Sequence, residues 1–270
     1  MTSPQFSAAA LGALQGVTEF LPVSSEGHLA LVRFLFGIET RGRGLYVFVH
    51  AGTLLATAFV LRKRATRSLQ DGFLALGRKA RLAETSGGRD ALAVLIATVP
   101  SAVLGVLLRG LGLRWASQPL VVGLGFLTTT LVLVLSGLAR KGDSEQPSHW
   151  GALAIGIAQG FSVLPGLSRS GSTIATALWL GVRPDRAFEL SMLISIPAVV
   201  LTLILEATRA FGEEGFGIAL LPGAVFALAT GILSLLALER IVKSGRFAWF
   251  ALWVGPLSLA TIAMGVAWPR

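Results

Sequence analysis

Residues 152–181 read ALAIGIAQGFSVLPGLSRSGSTIATALWLG. The stretch is apolar at both ends and is interrupted by Pro165-Gly166-Leu167-Ser168-Arg169-Ser170-Gly171-Ser172-Thr173. One continuous helix cannot run through it, because proline removes a backbone donor and a run of hydroxyls around an arginine cannot face hydrocarbon. Each flank is roughly ten residues, about half of what a membrane span needs. The stretch therefore reads as two half-helices around a polar elbow, a re-entrant hairpin.

Residues 8–37, AAALGALQGVTEFLPVSSEGHLALVRFLFG, are built the same way, with Thr18-Glu19 and then Pro22 to His28 breaking the apolar run. At an offset of 144, Ala8, Ala10, Gly12, Gln15, Gly16, Ser24, Gly27 and Gly37 meet identical residues at 152, 154, 156, 159, 160, 168, 171 and 181. This similarity predicts an internal repeat with an elbow in each half.

The rest of the chain supplies the setting. Of its 270 residues 53% are hydrophobic and only 14% are charged, and the mean hydropathy is +0.73. A soluble chain of this length needs a larger charged surface. Long apolar blocks at Leu45–Leu61, Ala91–Leu108, Pro119–Leu138, Phe188–Ala210, Gly217–Leu238 and Phe247–Ala267 predict six spanning helices. The fold class expected is an all-α polytopic membrane protein: six spans plus two re-entrant hairpins in an inverted repeat. It forms one domain over 1–270, with repeat 1 at about 8–138 and repeat 2 at about 149–268.

Charge placement sets the orientation. Residues 62–90 carry Arg62, Lys63, Arg64, Arg67, Arg78, Lys79, Arg81 and Arg89 against Asp71, Glu84 and Asp90. A basic connection between two spans follows the positive-inside rule, which makes this loop cytoplasmic and excludes nucleic-acid binding as its purpose. Arg140-Lys141 and Arg240, Lys243 and Arg246 then fall on the same side, and Gly212-Glu213-Glu214-Gly215 on the other. The two elbow mouths open to opposite sides, an arrangement that transporters also use. With no cysteine there is no disulfide or thiolate chemistry, and a zinc site is not expected. The start lacks a basic n-region and a cleavage site, so no removable signal peptide is expected.

The elbows carry the chemistry. An arginine at membrane depth needs a partner, and its guanidinium fork matches phosphate oxygens. Around Arg169 lie the hydroxyls of Ser168, Ser170, Ser172 and Thr173, and a half-helix expected to start near Gly171 offers positive partial charge to an anion. The first elbow holds Gln15, Glu19, Ser24, Ser25, Glu26 and His28. Gln15 and Glu19 share a helical face and could hold a hard cation, Mg²⁺ or Ca²⁺. His28 could act as acid or base toward Ser25. Glu26 has no role assigned, and His50 either faces the site or caps a turn.

At these residues the chain resembles the undecaprenyl-pyrophosphate phosphatases, the bacitracin-resistance family. Gln15-Gly16-Val17-Thr18-Glu19, with the following Ser24-Ser25-Glu26-Gly27-His28, is similar to the family's (Glu/Gln)-x-x-x-Glu and Ser-Ser-x-Gly-His motifs. Pro165-Gly166-Leu167-Ser168-Arg169-Ser170-Gly171-Ser172-Thr173 is similar to its Pro-Gly-x-Ser-Arg-Ser-x-x-Thr motif. His50-Ala51-Gly52-Thr53 and Phe188 to Pro197 add to the likeness. The resemblance implies a bacterial inner-membrane hydrolase that removes the terminal phosphate of undecaprenyl pyrophosphate and recycles the carrier lipid of peptidoglycan synthesis. It implies Ser25 as nucleophile, His28 as its acid/base partner, Arg169 as pyrophosphate clamp and Glu19 as base or metal ligand, with Gln15, Ser24, Gly166, Ser168, Ser170, Gly171, Ser172 and Thr173 around the substrate; it is compatible with a homodimer. Gln15 replaces a frequent Glu, and Glu26 stands where a small hydroxyl residue is usual. Acid-phosphatase-like lipid phosphatases need a second His after Ser-Arg, which is absent here. A transporter or flippase of polyprenyl phosphate lipids would explain the broken helices, but it needs no nucleophile.

Overall fold

The computed structural model describes residues 4–37, 42–75, 82, 84–140, 142–210 and 217–267. Arg78, Lys79, Arg81, Lys141 and the acidic link 212–215 lie outside the described residues. The architecture is all-helical. In chain order the helices are α1 (Pro4–Phe20), α2 (Ser25–Phe36), α3 (Arg43–Val60), α4 (Arg62–Leu74), α5 (Ser86–Trp115), α6 (Pro119–Ser136), α7 (His149–Phe161), α8 (Arg169–Trp179), α9 (Pro184–Ala210), α10 (Leu221–Lys243) and α11 (Ala251–Ala267). Helices α5, α6, α9, α10 and α11 are long and apolar enough to cross a membrane. Helix α3 brings the number to six when it is counted with α4, which bends away from it by 83°. The bend falls at Leu61, where the apolar segment meets Arg62-Lys63-Arg64.

Several spans run longer than their apolar blocks. Helix α5 starts at Ser86, capped by Thr85, and continues through Pro100 to Trp115; α9 continues through Pro197. A mid-helix proline is tolerated where neighbouring helices satisfy the backbone group it frees. Outward-facing side chains such as Leu107, Leu233 and Leu252 are exposed and apolar, as a lipid-facing surface requires.

Both predicted elbows are present as breaks between short helices. The first separates α1 from α2. There Ser24 adopts φ 68°, rare for a non-glycine residue, and its hydroxyl caps α2 by accepting from the Gly27 amide at 3.3 Å. The second separates α7 from α8. Gly166 turns it with φ 86°, and Ser168 caps α8 by accepting from the Gly171 amide at 3.1 Å. A side chain at Gly166 would also strike the backbone of α6 at Val122 and Phe126.

The shared glycines do the same job in both halves. A Cβ at Gly12 would lie 2.7 Å from the Gly223 Cα of α10, and one at Gly156 would lie 2.7 Å from the Ala97 Cα of α5. Gly16 and Gly160, one turn on, extend the two close approaches, so each half-helix lays a Gly-x-x-x-Gly face against a long span. The packing partners exchange accordingly. Helix α1 lies on α10 and α7 on α5; α3 also meets α10 and α9 meets α5; α3 packs on α9 and α6 on α11.

A polar knot ties the ends of α4, α5 and α9. Asp90, fully buried, accepts from Arg64, from Arg186 at 2.5 Å and from Gln146 at 2.6 Å, and Arg186 also binds Glu189. A charge buried this completely is tolerated only when paired and hydrogen-bonded.

Candidate active site

The two breaks place their polar residues against each other. Helix α1 ends with Gln15 and Glu19 one turn apart on a buried face. Gln15 Nε2 donates to Glu19 Oε2 at 2.8 Å and lies 3.1 Å from His50 Nε2. The His50 Nδ1–H donates to the Tyr46 carbonyl at 2.9 Å, which leaves Nε2 to accept from the amide. His50 thus faces the site and holds Gln15.

Ser25 is the first residue of α2, and its hydroxyl donates to Glu19 Oε2 at 2.8 Å. From the other elbow, Arg169 begins α8 and donates through Nη2 to Glu19 Oε1 at 2.8 Å. One carboxylate therefore receives an amide, a hydroxyl and a guanidinium. Two polar atoms of this group are buried without a hydrogen-bond partner, Arg169 Nη1 and Gln15 Oε1. A donor of the charged fork and a neutral oxygen acceptor are thereby left for something the chain itself does not provide. A narrow cleft reaches Glu19 and Arg169 between Thr53, Thr57 and Ser195.

His28 stands apart from this network. Its Nδ1–H donates to the Ser24 carbonyl at 2.9 Å, and its Nε2 accepts from the Trp253 indole N–H at 3.2 Å. Both ring nitrogens are engaged away from Ser25, and the ring stacks edge-on against Phe126 at 5.5 Å. The Ser25 hydroxyl therefore meets Glu19 while the His28 ring is held by the Ser24 carbonyl and Trp253.

Most of the second elbow's hydroxyls hold its shape. Ser168 caps α8 and lies 3.3 Å from the Ser170 hydroxyl; Thr173 donates to the Arg169 carbonyl at 2.8 Å and meets Ser191 at 2.5 Å. The Ser172 amide binds the Ser168 carbonyl. Helix α8 starts at Arg169, two residues before the expected Gly171, whose amide is used by the cap. Of the first four amides, that of Ser168 goes to Thr129 and that of Gly171 to the cap, which leaves those of Arg169 and Ser170. Glu26 sits in the first turn of α2, where the helix dipole favours a carboxylate.

Three residues absent from the motifs complete the frame. Thr129 of α6 donates to the Gly166 carbonyl at 2.7 Å and accepts from the Ser168 amide at 3.0 Å. Phe126 is fully buried between Gly27 of one elbow and Gly166 of the other. Trp253 holds His28. The three hydroxyls Thr128-Thr129-Thr130 inside an apolar span were a signal for the first; the aromatics carried none. In the second half, Gln159 repeats the reach of Gln15. Its Nε2 donates to the Ile194 carbonyl at 3.2 Å, and residue 194 lies 144 positions after His50.

The family model described as bacitracin resistance protein BacA matches residues 8–260. The chain belongs to the BacA family. The undecaprenyl-diphosphatase of Desulfosudis oleivorans is 38% identical over 270 residues, covering 95% of this chain and 97% of the relative. That of Acaryochloris marina is 40% identical over 266 residues, covering 94% and 97%. The BacA match spans both elbows, so the Glu19, Ser25 and Arg169 cluster lies inside the family's own extent. With several spans and a buried polar centre, the chain is a multi-pass membrane protein.

Proposed function

We propose that this chain is a membrane phosphatase that hydrolyses undecaprenyl diphosphate to undecaprenyl monophosphate and inorganic phosphate, returning the carrier lipid to cell-wall synthesis in the inner membrane. The observation that carries the reading is the Ser25 hydroxyl held on the Glu19 carboxylate, with Arg169 closing the group from the opposite elbow. A transporter has no need of that pair, and the names of the relatives point to the same reaction.

The geometry suggests the roles. Arg169 Nη1 and the first amides of α8 would take oxygens of the terminal phosphate. Ser25 Oγ, giving its proton to Glu19 Oε2, would attack the distal phosphorus; the bond to the bridging oxygen breaks, and undecaprenyl monophosphate leaves. Glu19 would pass that proton to the departing monophosphate. It would then deprotonate water, which attacks the phosphoserine phosphorus, and the Ser25 oxygen leaves with the proton returned from Glu19 as inorganic phosphate is released. Positioning and charge neutralisation are what phosphoryl transfer chiefly requires. His28 would hold the Ser24 carbonyl and so keep the strained elbow in shape. The donors around Gln15 fit a hard cation: its unpartnered Oε1 and the Glu19 carboxylate would hold Mg²⁺ or Ca²⁺. Such a cation would neutralise charge on the diphosphate when bound.

The exchanged packing of the two halves and the paired reach of Gln15 and Gln159 support an inverted repeat with re-entrant elbows meeting inside the membrane. Single cysteines at positions 40 and 184 test it, and labelling of both from the same side would remove it. A homodimer, which cross-linking in native membranes reads, belongs to the same proposal. The function is tested by phosphate release from undecaprenyl diphosphate by purified protein in neutral detergent, with and without Mg²⁺. Absence of release under both conditions would shift the reading to lipid transport.

A further inference from the structure

A second feature lies outside the elbow network, at the end of α10. Gly245, with φ 73°, turns the chain after α10, and the 3-10 turn Phe247–Phe250 leads into α11. Between these segments opens a groove of about 700 Å³ whose lining includes Arg240, Arg246, Trp249, Phe250, Leu252 and Trp253. Its floor is aromatic and aliphatic and its rim is cationic. Nearby Lys243 is held by Glu239 at 2.6 Å, while Arg240 and Arg246 of the rim have no carboxylate partner among the described residues. The Arg246 guanidinium is 4.9 Å from the centre of the Trp249 ring, which orients it over the groove's aromatic wall. At the other end Trp253 is hydrogen-bonded to His28 of the first elbow.

We propose that this groove is a second lipid site that holds a polyprenyl monophosphate, the product class of the reaction above; the identity of the lipid rests on that reading. The phosphate lies between Arg240 and Arg246, and the first isoprene units lie on Trp249, Phe250, Leu252 and Trp253. A phosphomonoester is a compact dianion with three terminal oxygens, which two guanidinium forks can share. Flat, branched isoprene units suit aromatic faces. A diacyl phospholipid offers a singly charged diester flanked by a polar group and two chains, and so matches a groove with one cationic rim less well. The Trp253 to His28 contact joins one wall of the groove to the first elbow.

The test is binding of undecaprenyl monophosphate to the purified full-length chain in neutral detergent, followed by native mass spectrometry. The Arg240→Gln, Arg246→Gln double variant is expected to bind roughly tenfold more weakly. A charge-matched control, Arg62→Gln with Lys63→Gln, is expected to bind as the parent does. Melting temperatures check that each variant is folded; if the double variant fails to fold, the two single Gln variants read the same loss in smaller steps. Unchanged binding by the groove variants overturns the proposal. Equal loss in the control, or displacement by phosphatidylglycerol at equal concentration, overturns it as well, by making the groove a general anionic-lipid surface. Because binding requires no turnover, a chain that binds the monophosphate here yet releases no phosphate from the diphosphate would refute the proposed reaction and leave the site standing.

Discussion

Arg169 and Glu19 are 150 positions apart in the chain and 2.8 Å apart in space. Each begins or ends a short helix at a break, so the ion pair joins the two elbows directly. Neither charge is left unpaired in the bundle, where an isolated one would cost several kcal/mol. The pair uses one nitrogen of the guanidinium and leaves Nη1 for a ligand.

Removing that fork should abolish most turnover. Arg169→Ala is expected to lower the rate of phosphate release by about 10²–10³-fold, the range for loss of a donor to developing charge. Arg169→Lys keeps the charge but not the fork, and should fall between the parent and the alanine variant. Full activity in Arg169→Lys would show that charge alone suffices.

Glu19→Gln retains a hydrogen bond to Ser25 but cannot take its proton. The expected loss is about 10²–10⁴-fold. Peptide mass spectrometry of rapidly quenched reactions should find phosphate on Ser25 in the parent. Active Ser25→Ala protein would instead assign the attack to water.

His28 distinguishes positioning from proton transfer. The amide nitrogen of an asparagine side chain stands near the place of a histidine Nδ1, so His28→Asn can still donate to the Ser24 carbonyl. It is expected to keep activity within about threefold of the parent, and His28→Ala to lose roughly tenfold, the scale of one hydrogen bond. Both should keep the parent's pH profile. Asn and Ala variants equally inactive, with one limb of the profile lost, would return His28 to acid/base chemistry.

The glycine faces should report on folding rather than chemistry. Gly12→Ala and Gly156→Ala each push a methyl group into the backbone of a facing span, and overpacking of this kind costs about 1–3 kcal/mol. Gly105→Ala meets open space and should be neutral or stabilising through helix propensity. Melting in detergent measures all three; equal behaviour would mean that the helices slide apart freely.

Asp90→Asn should destabilise the end of the bundle by about 3 kcal/mol, since it leaves the buried Arg186 with only Glu189 for a counter-ion. A lowered melting temperature with catalytic constants unchanged at low temperature is the expected result.

The membrane class, the positions of both breaks and the residues at their centres were readable in the chain because they depend on local chemistry. Pro165 and Gly166 end a helix wherever they stand, hydroxyls cap the next one, and apolar blocks of span length have one favourable solvent. The glycines shared at an offset of 144 could be seen as a pattern, but not as helix contacts. Asp90 could not be singled out within the basic loop, because its partners Arg186 and Gln146 come from distant segments.

The sequence by itself therefore determined where the chain breaks and which chemical groups gather at each break. Which atoms meet was decided by the tertiary structure alone. Ser25 and His28 lie about 60° apart around α2, on one face, so which of them meets Glu19 depends on the partners that the other helices bring to each side chain. Phe126 packs against Gly27 of α2 and Trp253 binds the His28 ring, while α1, which carries Glu19, is held by its close approach to α10; all are contacts made across the whole fold. The same packing turns His28 toward Trp253 and brings Arg169 to Glu19.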